Sequence, residues 1–444
     1  MPAAARPGVA QEVLERALRD FESASASLPE AILTRGTRRR AAEELSRLGW
    51  PSVRDEQWRY ADLRALERIT SFAPPAFGAP SPAAGLEGVE LPGLLPGFQR
   101  IVFVDGVRAA GNDAEGDGAD GGAAALLAAG ESEPGAWSPD QRLGLLGDMF
   151  AQDGAQLRIA GEAAVELLCV ASARAVGAAV YPRLQLQLAP GARLTRVERH
   201  LGAPAAPVLV CAAVTAELSR GAQLQHYRLQ QYGSEVVLQD SLRARLQQDA
   251  AYRVRQVVVG ARSSRTSADV QLAGRGAALS WQAIAVGRAS QVHDTTLRVE
   301  HAAPATQTEE VFRGIADERA RLAFSGHVLI QPTAAGAVAR QSLRGLIEGA
   351  GAEIDLRPRL EIHVDEVSAQ HGATTGRLDE NLLFYLLSRG LDRRTARALL
   401  KWAFLGDVLR AIELPSLREQ AERGAAGVLQ DVPTPGALMP GALP

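Results

Sequence analysis

The densest grouping of side chains able to do chemistry in this 444-residue sequence lies near its C-terminal end, in VDEVSAQHGATTGRLDE, Val364 to Glu380. Glu361, His363 and Asp365 alternate just at its start, so a regular strand running on to His371 would present all three on one face. Imidazole and carboxylate together suit a divalent transition metal. Two readings therefore stay open for His371: a metal ligand, or a histidine hydrogen-bonded in a tight turn. The three alternating side chains likewise read either as an entry path for a metal ion or as a solvated strand face. GATTG, which follows, reads as a strand-to-helix corner, since a phosphate nest would need converging backbone amides.

Other residues of this kind are scattered. His200, His226, His293, His301 and His327 show no His-x-His or His-x3–4-His spacing, so none is assigned to a metal. Cys169 and Cys211, the two cysteines, sit among aliphatic residues and read as small buried core residues rather than a disulfide framework. Lys401 stands alone as a lysine, inside the apolar helical pattern ALLKWAF, which excludes a phosphate-binding P-loop and argues against Schiff-base chemistry. A formal Gly-x-Gly-x-x-Gly occurs at Gly116, Gly118 and Gly121, but Asp113, Asp117 and Asp120 line it and would repel a pyrophosphate. It reads as a flexible acidic loop, and no nucleotide is expected on this chain. A net charge of -3 and a pI near 6.2 give no electrostatic case for nucleic acid. The opening MPAAARPGVAQEVLERALRDF runs into an amphipathic helix rather than a secretory leader, and no apolar run is long enough to span a bilayer, so the expectation is a cytoplasmic protein away from membranes.

The elements that must position these residues follow from periodicity. Apolar residues at i, i+3, i+4 predict helices from about Gln11 to Ser71, with a break at Gly49 and Pro51. RDEQWRYADLRAL reads as a short helix anchored by Trp58 and Tyr60. A Pro/Gly/Ala linker, FAPPAFGAPSPAAGLEG, precedes the short strand RIVFVDGV. From Val165 to His371, segments such as RLQLQLAP, EVVLQDSLRARL and YRVRQVVVG alternate apolar and polar residues, which predicts an all-β region. A turn residue, a small residue and an inward aliphatic recur at Gly191, Gly221, Asp249, Gly276, Arg319 and Gly351, mostly about 30 residues apart but with one interval of 43. That period predicts a right-handed parallel β-helix with one insertion near EHAAPATQTEE; a jelly roll or sandwich is the competing fold. After Gly376 the helical period returns: two helices split at Ser388–Gly390, the second capped by Asp392, then SLREQAERGAAGVL. Ala396, Leu399, Leu400, Ala403, Phe404, Val408 and Ile412 share one face of the second helix and are expected to pack inward. The chain thus divides into an N-terminal helical domain (1–71), a linker with short strands and the acidic loop (72–150), a β-helix core (151–375) and a C-terminal helical domain (376–444). A solenoid leaves its last strands unpaired, so either the helices cover that edge or a partner pairs with it.

Several stretches carry a family resemblance. GWPSVRDEQWRYADL at Gly49–Leu63 and GAEIDLRPRLEIHVDEVSAQHGATTGRLDENLLFYLLSRGL at Gly351–Leu391 resemble elements of the SufB/SufD family, as do FSGHVLIQP and RVEHAAPAT. The Trp-Arg-Tyr element favours the SufD side of that family. The resemblance implies a non-catalytic scaffold for iron–sulfur cluster assembly within a SufBCD complex. Such a chain pairs with a SufB-like chain through the β-helix ends and carries a SufC-like ABC ATPase, which holds the ATPase activity, on its C-terminal helices. Arg389, Asp392, Arg393 and Arg394, at the inter-helix turn, are the candidates for the ATPase contact. His371 falls on the family's interface histidine, an iron or cluster ligand shared with the partner; Glu361, His363 and Asp365 would then line a path for iron, and a reduced flavin on the complex is a further expectation. Where many SufD proteins have a cysteine two positions earlier, this chain has Ala369. Thiolates, the usual cluster ligands, are therefore expected from the partner. The alternatives are a homodimeric scaffold acting without a SufB-like chain, or a carbohydrate-acting β-helix enzyme, which would need a paired-acid motif that the sequence lacks.

Overall fold

The computed structural model of the protein describes residues 9–30, 32–75, 86, 89–109, 124–127, 137–175 and 177–429. The acidic glycine-rich segment, most of the Pro/Gly/Ala stretch after Pro75 and the Pro-rich tail lie outside the described residues. The β region is a flattened parallel solenoid in which each coil gives one strand to each of two sheets. The first sheet runs through Gln99–Val104, Glu162–Val170, Arg193–Leu201, Gln223–Gln230, Ala251–Val259, Ala278–Gly287, Gln307–Ala316 and Ala337–Ile347 to Val367–Gly376. The second runs through Arg183–Leu188, Val208–Leu218, Val236–Leu246, Ser263–Leu272, Val292–His301 and Arg321–Ile330 to Glu353–Ile362. These in-register parallel ladders leave no place for the antiparallel pairings of a jelly roll.

The alternation sets the core. Every second side chain points between the sheets, and register stacks equivalent positions into columns. Leu194, Leu224, Tyr252, Leu279, Thr308, Ala339 and Ala369 form one such column, in steps of 27 to 31 residues. The chain enters this sheet through a left-handed residue at Gly191, Gly221, Asp249, Gly276, Ala305 and Gly336, with φ between 54° and 74°. Glycine adopts that region freely and other residues adopt it with strain. The long interval expected near EHAAPATQTEE is therefore no insertion. Ala305 makes the turn there without a glycine, and Gln307–Ala316 is an ordinary coil strand. The motifs at Arg319 and Gly351 belong to turns into the second sheet.

Helices clothe the outer faces. On the second sheet lie α1 (Val9–Ala24), α2 (Arg35–Leu48), α3 (Leu63–Glu67) and α4 (Gly144–Phe150), burying Leu14, Phe21, Leu45, Leu146 and Phe150 against Tyr181, Leu209, Cys211 and Val237. Thr34 caps α2 through Thr37 N–H at 3.1 Å, and Gly49 ends it. The short 3-10 turn Glu56–Trp58 drops Trp58 over the Arg265 guanidinium, 4.1 Å from ring centroid, while Arg265 pairs with Asp294. On the first sheet lie α6 (Arg393–Arg410) and α7 (Pro415–Leu429), while α5 (Glu380–Ser388) packs on α6. Ala398, Trp402, Leu405 and Leu409 of α6 pack on Tyr227, Val257, Ile284 and Ile315. The inward face of α6 is thus rotated from the expected stripe: Ala396, Val408 and Ile412 are buried, Leu399, Leu400 and Phe404 are half-buried and Ala403 is exposed. The helix is apolar around more than half its girth, and Trp402, with the most surface to remove from water, decides which side faces the sheet. Lys401 is held at 2.7 Å by Glu348, which also takes Arg397.

The helices cover faces, not the end. Val367–Gly376 pairs only with Ala337–Ile347, and Glu353–Ile362 only with Arg321–Ile330, among the described residues. The last coil therefore presents two open strand edges.

Candidate functional site: the open mouth of the solenoid

His371 sits in the middle of the terminal strand Val367–Gly376 and is exposed. Its register partner is Gln341, whose own partner in the preceding coil is Glu310, behind which stands Trp281. Gln341, Glu310 and Trp281 are buried, and Val367 and Ala369, which share the parity of His371, pack on the interior core. His371 accordingly lies on the inner face, at the mouth of the last coil. Below it, Gln341 Nε2 donates to Glu310 Oε2 at 2.8 Å and to the Gly326 carbonyl at 3.0 Å. Gly326 is required here, because a Cβ would fall 2.0 Å from the Glu310 carboxylate. Burial pushes the Glu310 carboxyl up to about 8, so it is neutral at pH 7.

The strand carrying Glu361 does not run on to His371. It stops at Ile362, because the coil must turn a corner into the other sheet, and the residues expected on one face part company. Glu361 and His363 do meet: His363 Nε2 and Glu361 Oε1 are 3.2 Å apart. The third member is His327 from the neighbouring strand, its Nε2 3.2 Å from Glu361 Oε2, rather than Asp365, which lies in the corner. Hydrogen bonding to His363 first, then to His327, holds the Glu361 carboxyl below its usual range. Leu356 and Leu360 of this strand face the interior. Glu361 therefore has the opposite parity and lies on the outside of the second sheet, away from the inner face that carries His371. Among the described residues no three His, Cys, Asp or Glu side chains form a group that could hold a metal ion.

Deeper in the solenoid, polar side chains pair with one another. Glu198 meets Arg196 at 2.6 Å, His200 at 2.6 Å, His226 at 3.0 Å and Arg228 at 3.1 Å, and Arg228 also pairs with Asp240. Burial works against the Glu198 charge, but Arg196 and Arg228 outweigh it and keep the carboxyl well below its usual range. His226 is completed by Tyr252 Oη at 2.9 Å, and burial, then Arg196, lower its pKa to about 3. Cys169 faces the interior core and Cys211 lies beneath α4, and burial pushes both thiols up. Neither is a thiolate at neutral pH. Sequence reasoning missed Glu310, Gln341 and this buried cluster. The signal was there: polar residues at inward parity in strands otherwise aliphatic on that side.

A second surface adjoins the mouth. Three residues after the His371 strand, α5 begins, and it exposes Leu382, Phe384 (72 %) and Tyr385. Arg389, at its C-terminal end, stacks 5.0 Å from the Tyr385 ring. Arg393 and Arg394 open α6 and are exposed. The Asp392 carboxylate caps α6, accepting from Thr395 N at 3.0 Å and from Thr395 Oγ1 at 2.6 Å. No helix of the described residues is long and apolar enough to cross a membrane.

With this geometry in place, comparison with known proteins is informative. Residues 170–404, from the second coil into α6, match the family described as SUF system FeS cluster assembly, SufBD core domain. The iron-sulfur cluster assembly protein SufD of Escherichia coli (strain K12) is 27% identical over 390 residues, covering 85% of this chain and 89% of that one. A SufBD family iron-sulfur cluster assembly protein of Synechocystis sp. is 33% identical over 203 residues, 45% of this chain and 44% of that one. SufD of Bacillus subtilis (strain 168) is 31% identical over 137 residues, 31% of each chain. The solenoid and its helical ends are therefore those of a SufB/SufD-family protein, and the chain belongs to that family, with a role in iron–sulfur cluster assembly.

Proposed function

We propose that this chain is a non-catalytic scaffold subunit that docks a SufB-like partner on its open strand edges and lends His371 to an iron or iron–sulfur cargo held between them. The observation that carries the reading is the position of His371: the inner face of an unpaired edge strand, at the mouth of the solenoid. A chain added there completes the ladders and closes around the imidazole. Cluster ligation is dominated by thiolates, and both cysteines of this chain are buried far from the mouth with raised pKa values. The thiolates come from the partner. The apolar surface of α5 together with Arg389, Arg393 and Arg394 supports docking of a SufC-like ATPase on the C-terminal helices, with nucleotide chemistry supplied by that subunit. Asp392 shapes this surface through its cap.

Co-expression with SufB- and SufC-like chains, followed by anaerobic cluster reconstitution, tests the reading in separable arms. His371→Ala should leave the three-chain complex intact and lower its cluster content by at least tenfold; unchanged content sinks the ligand role. Phe384→Asp should lose the ATPase from the complex while retaining the SufB-like chain. Failure of the unaltered chain to bind either partner overturns the scaffold assignment.

A further inference from the structure

We infer that Gln341 is the positioning residue of His371: its side-chain oxygen accepts one ring N–H, fixes the imidazole tautomer, and leaves the other ring nitrogen facing the mouth. The inference rests on the reading of His371 as a ligand and extends it to a side chain in the preceding coil.

Three observations converge. First, register places His371 directly above Gln341 on the adjacent strand, on the same inner face, one strand spacing of about 4.8 Å away. Second, the orientation of the Gln341 amide is determined rather than free. Both N–H donors are used, one by Glu310 Oε2 and one by the Gly326 carbonyl, and a backbone carbonyl accepts only from the nitrogen end. The amide oxygen must therefore point away from those two groups. Third, that oxygen, Gln341 Oε1, is buried and finds no hydrogen-bond partner among the described residues. A buried acceptor left empty is unfavourable. A rotation of the His371 ring toward the column satisfies it with an N–H and so selects a tautomer. Histidines that ligate metals commonly donate their second nitrogen in this way, and loss of that acceptor typically weakens binding by about 10–100-fold. Glu310 acts one step further back: with Gly326 it locks the amide that locks the ring.

The experiment uses the full chain with selectively 15N-labelled histidine and reads ring-nitrogen NMR shifts at pH 8. The His371 signals are identified by their absence in His371→Ala. The unaltered chain should show a single dominant His371 tautomer. Gln341→Met, nearly the same volume without an acceptor, should convert it to a mixture, whereas Gln341→Glu, which keeps an acceptor, should hold one tautomer. The signals of buried His226, His293 and His301 report in the same spectra that the solenoid is intact. In the reconstituted three-chain complex, Gln341→Met should lower iron content about tenfold. A His371 tautomer indifferent to Gln341→Met overturns the inference whatever His371 does. A tautomer that responds, alongside unchanged cluster content in His371→Ala, instead overturns the ligand reading and removes the functional meaning of the contact.

Discussion

The interior of the early coils and the interior of the last coil use the same kinds of residue to opposite ends. Around Glu198, two arginines, two histidines, Asp240 and Tyr252 close on one another within the barrel. Each charge there has an opposite charge beside it and both nitrogens of His226 are taken, although Asp240 Oδ1 and some of the arginine nitrogens hold no hydrogen bond. At the mouth, the column of Glu310, Gln341 and His371 is built of the same polar types, yet it stops at an edge, with a carboxyl that is neutral and an amide oxygen without a partner. A histidine enclosed by partners fastens coils together. One at the end of a column is available to something outside. What separates the two is the presence or absence of a next strand, not residue chemistry.

The contrast can be broken in graded steps. Glu198→Leu should have the largest effect, because it strands Arg196 without its anion in the buried interior and leaves Arg228 with Asp240 alone. A loss of about 3–5 kcal/mol is expected, read as a lower denaturant midpoint at neutral pH; an unshifted midpoint would mean the cluster is not closed. Acid should then act on the buried histidines. His226 sits near 3, and His293 and His301 near 4, all lowered chiefly by burial. Between those values and about 6.5 the unfolded chain takes up protons that the folded chain refuses, so stability falls as pH drops through that window. Thermal scans from pH 7 to 4 should show a progressively lower midpoint, and a flat profile counts against neutral, enclosed rings. Glu310 works in reverse. Neutral in the fold up to about 8 but ionised from about 4.3 when unfolded, it makes stability decline as pH rises between those values, by up to about 1.4 kcal/mol per pH unit. Glu310→Gln should flatten that decline; an unaltered slope would show that the carboxyl is ionised in place. Smallest is Ala305→Gly, which relieves a left-handed alanine at φ 57°. A gain of about 0.5–1 kcal/mol is expected, since the strain removed exceeds the extra chain entropy of glycine.

Much of the architecture was legible because the solenoid repeats its physics locally. Alternation marks the strands, and glycines at Gly191, Gly221 and Gly276 mark the turns. The repeat is hidden at two turns, Ala305, where no glycine marks it, and Gly336, while the similar motifs at Arg319 and Gly351 belong to the other sheet. The reading slipped as well on α6, where two apolar stripes competed and only the flat sheet beneath could choose Trp402. His371 was legible as chemistry, but its column was not. Gln341 and Glu310 lie about one and two coils upstream, and coils vary by several residues, so neighbours in space follow only from the register. Glu361, His363 and Asp365 show the converse: adjacency in sequence suggested a common face, yet the corner after Ile362 leaves Glu361 beside His363 and carries Asp365 away from both.

The direct join between the terminal strand and α5 has a mechanical meaning. Only Arg377, Leu378 and Asp379 connect Gly376 to the helix that exposes Phe384, and Leu378 is buried, so the link is short and seated rather than slack. The strand it pulls on is laced to the solenoid along one side only. A load applied to α5 therefore arrives first at the strand that carries His371, the one strand of that sheet's end that can yield without breaking two ladders at once.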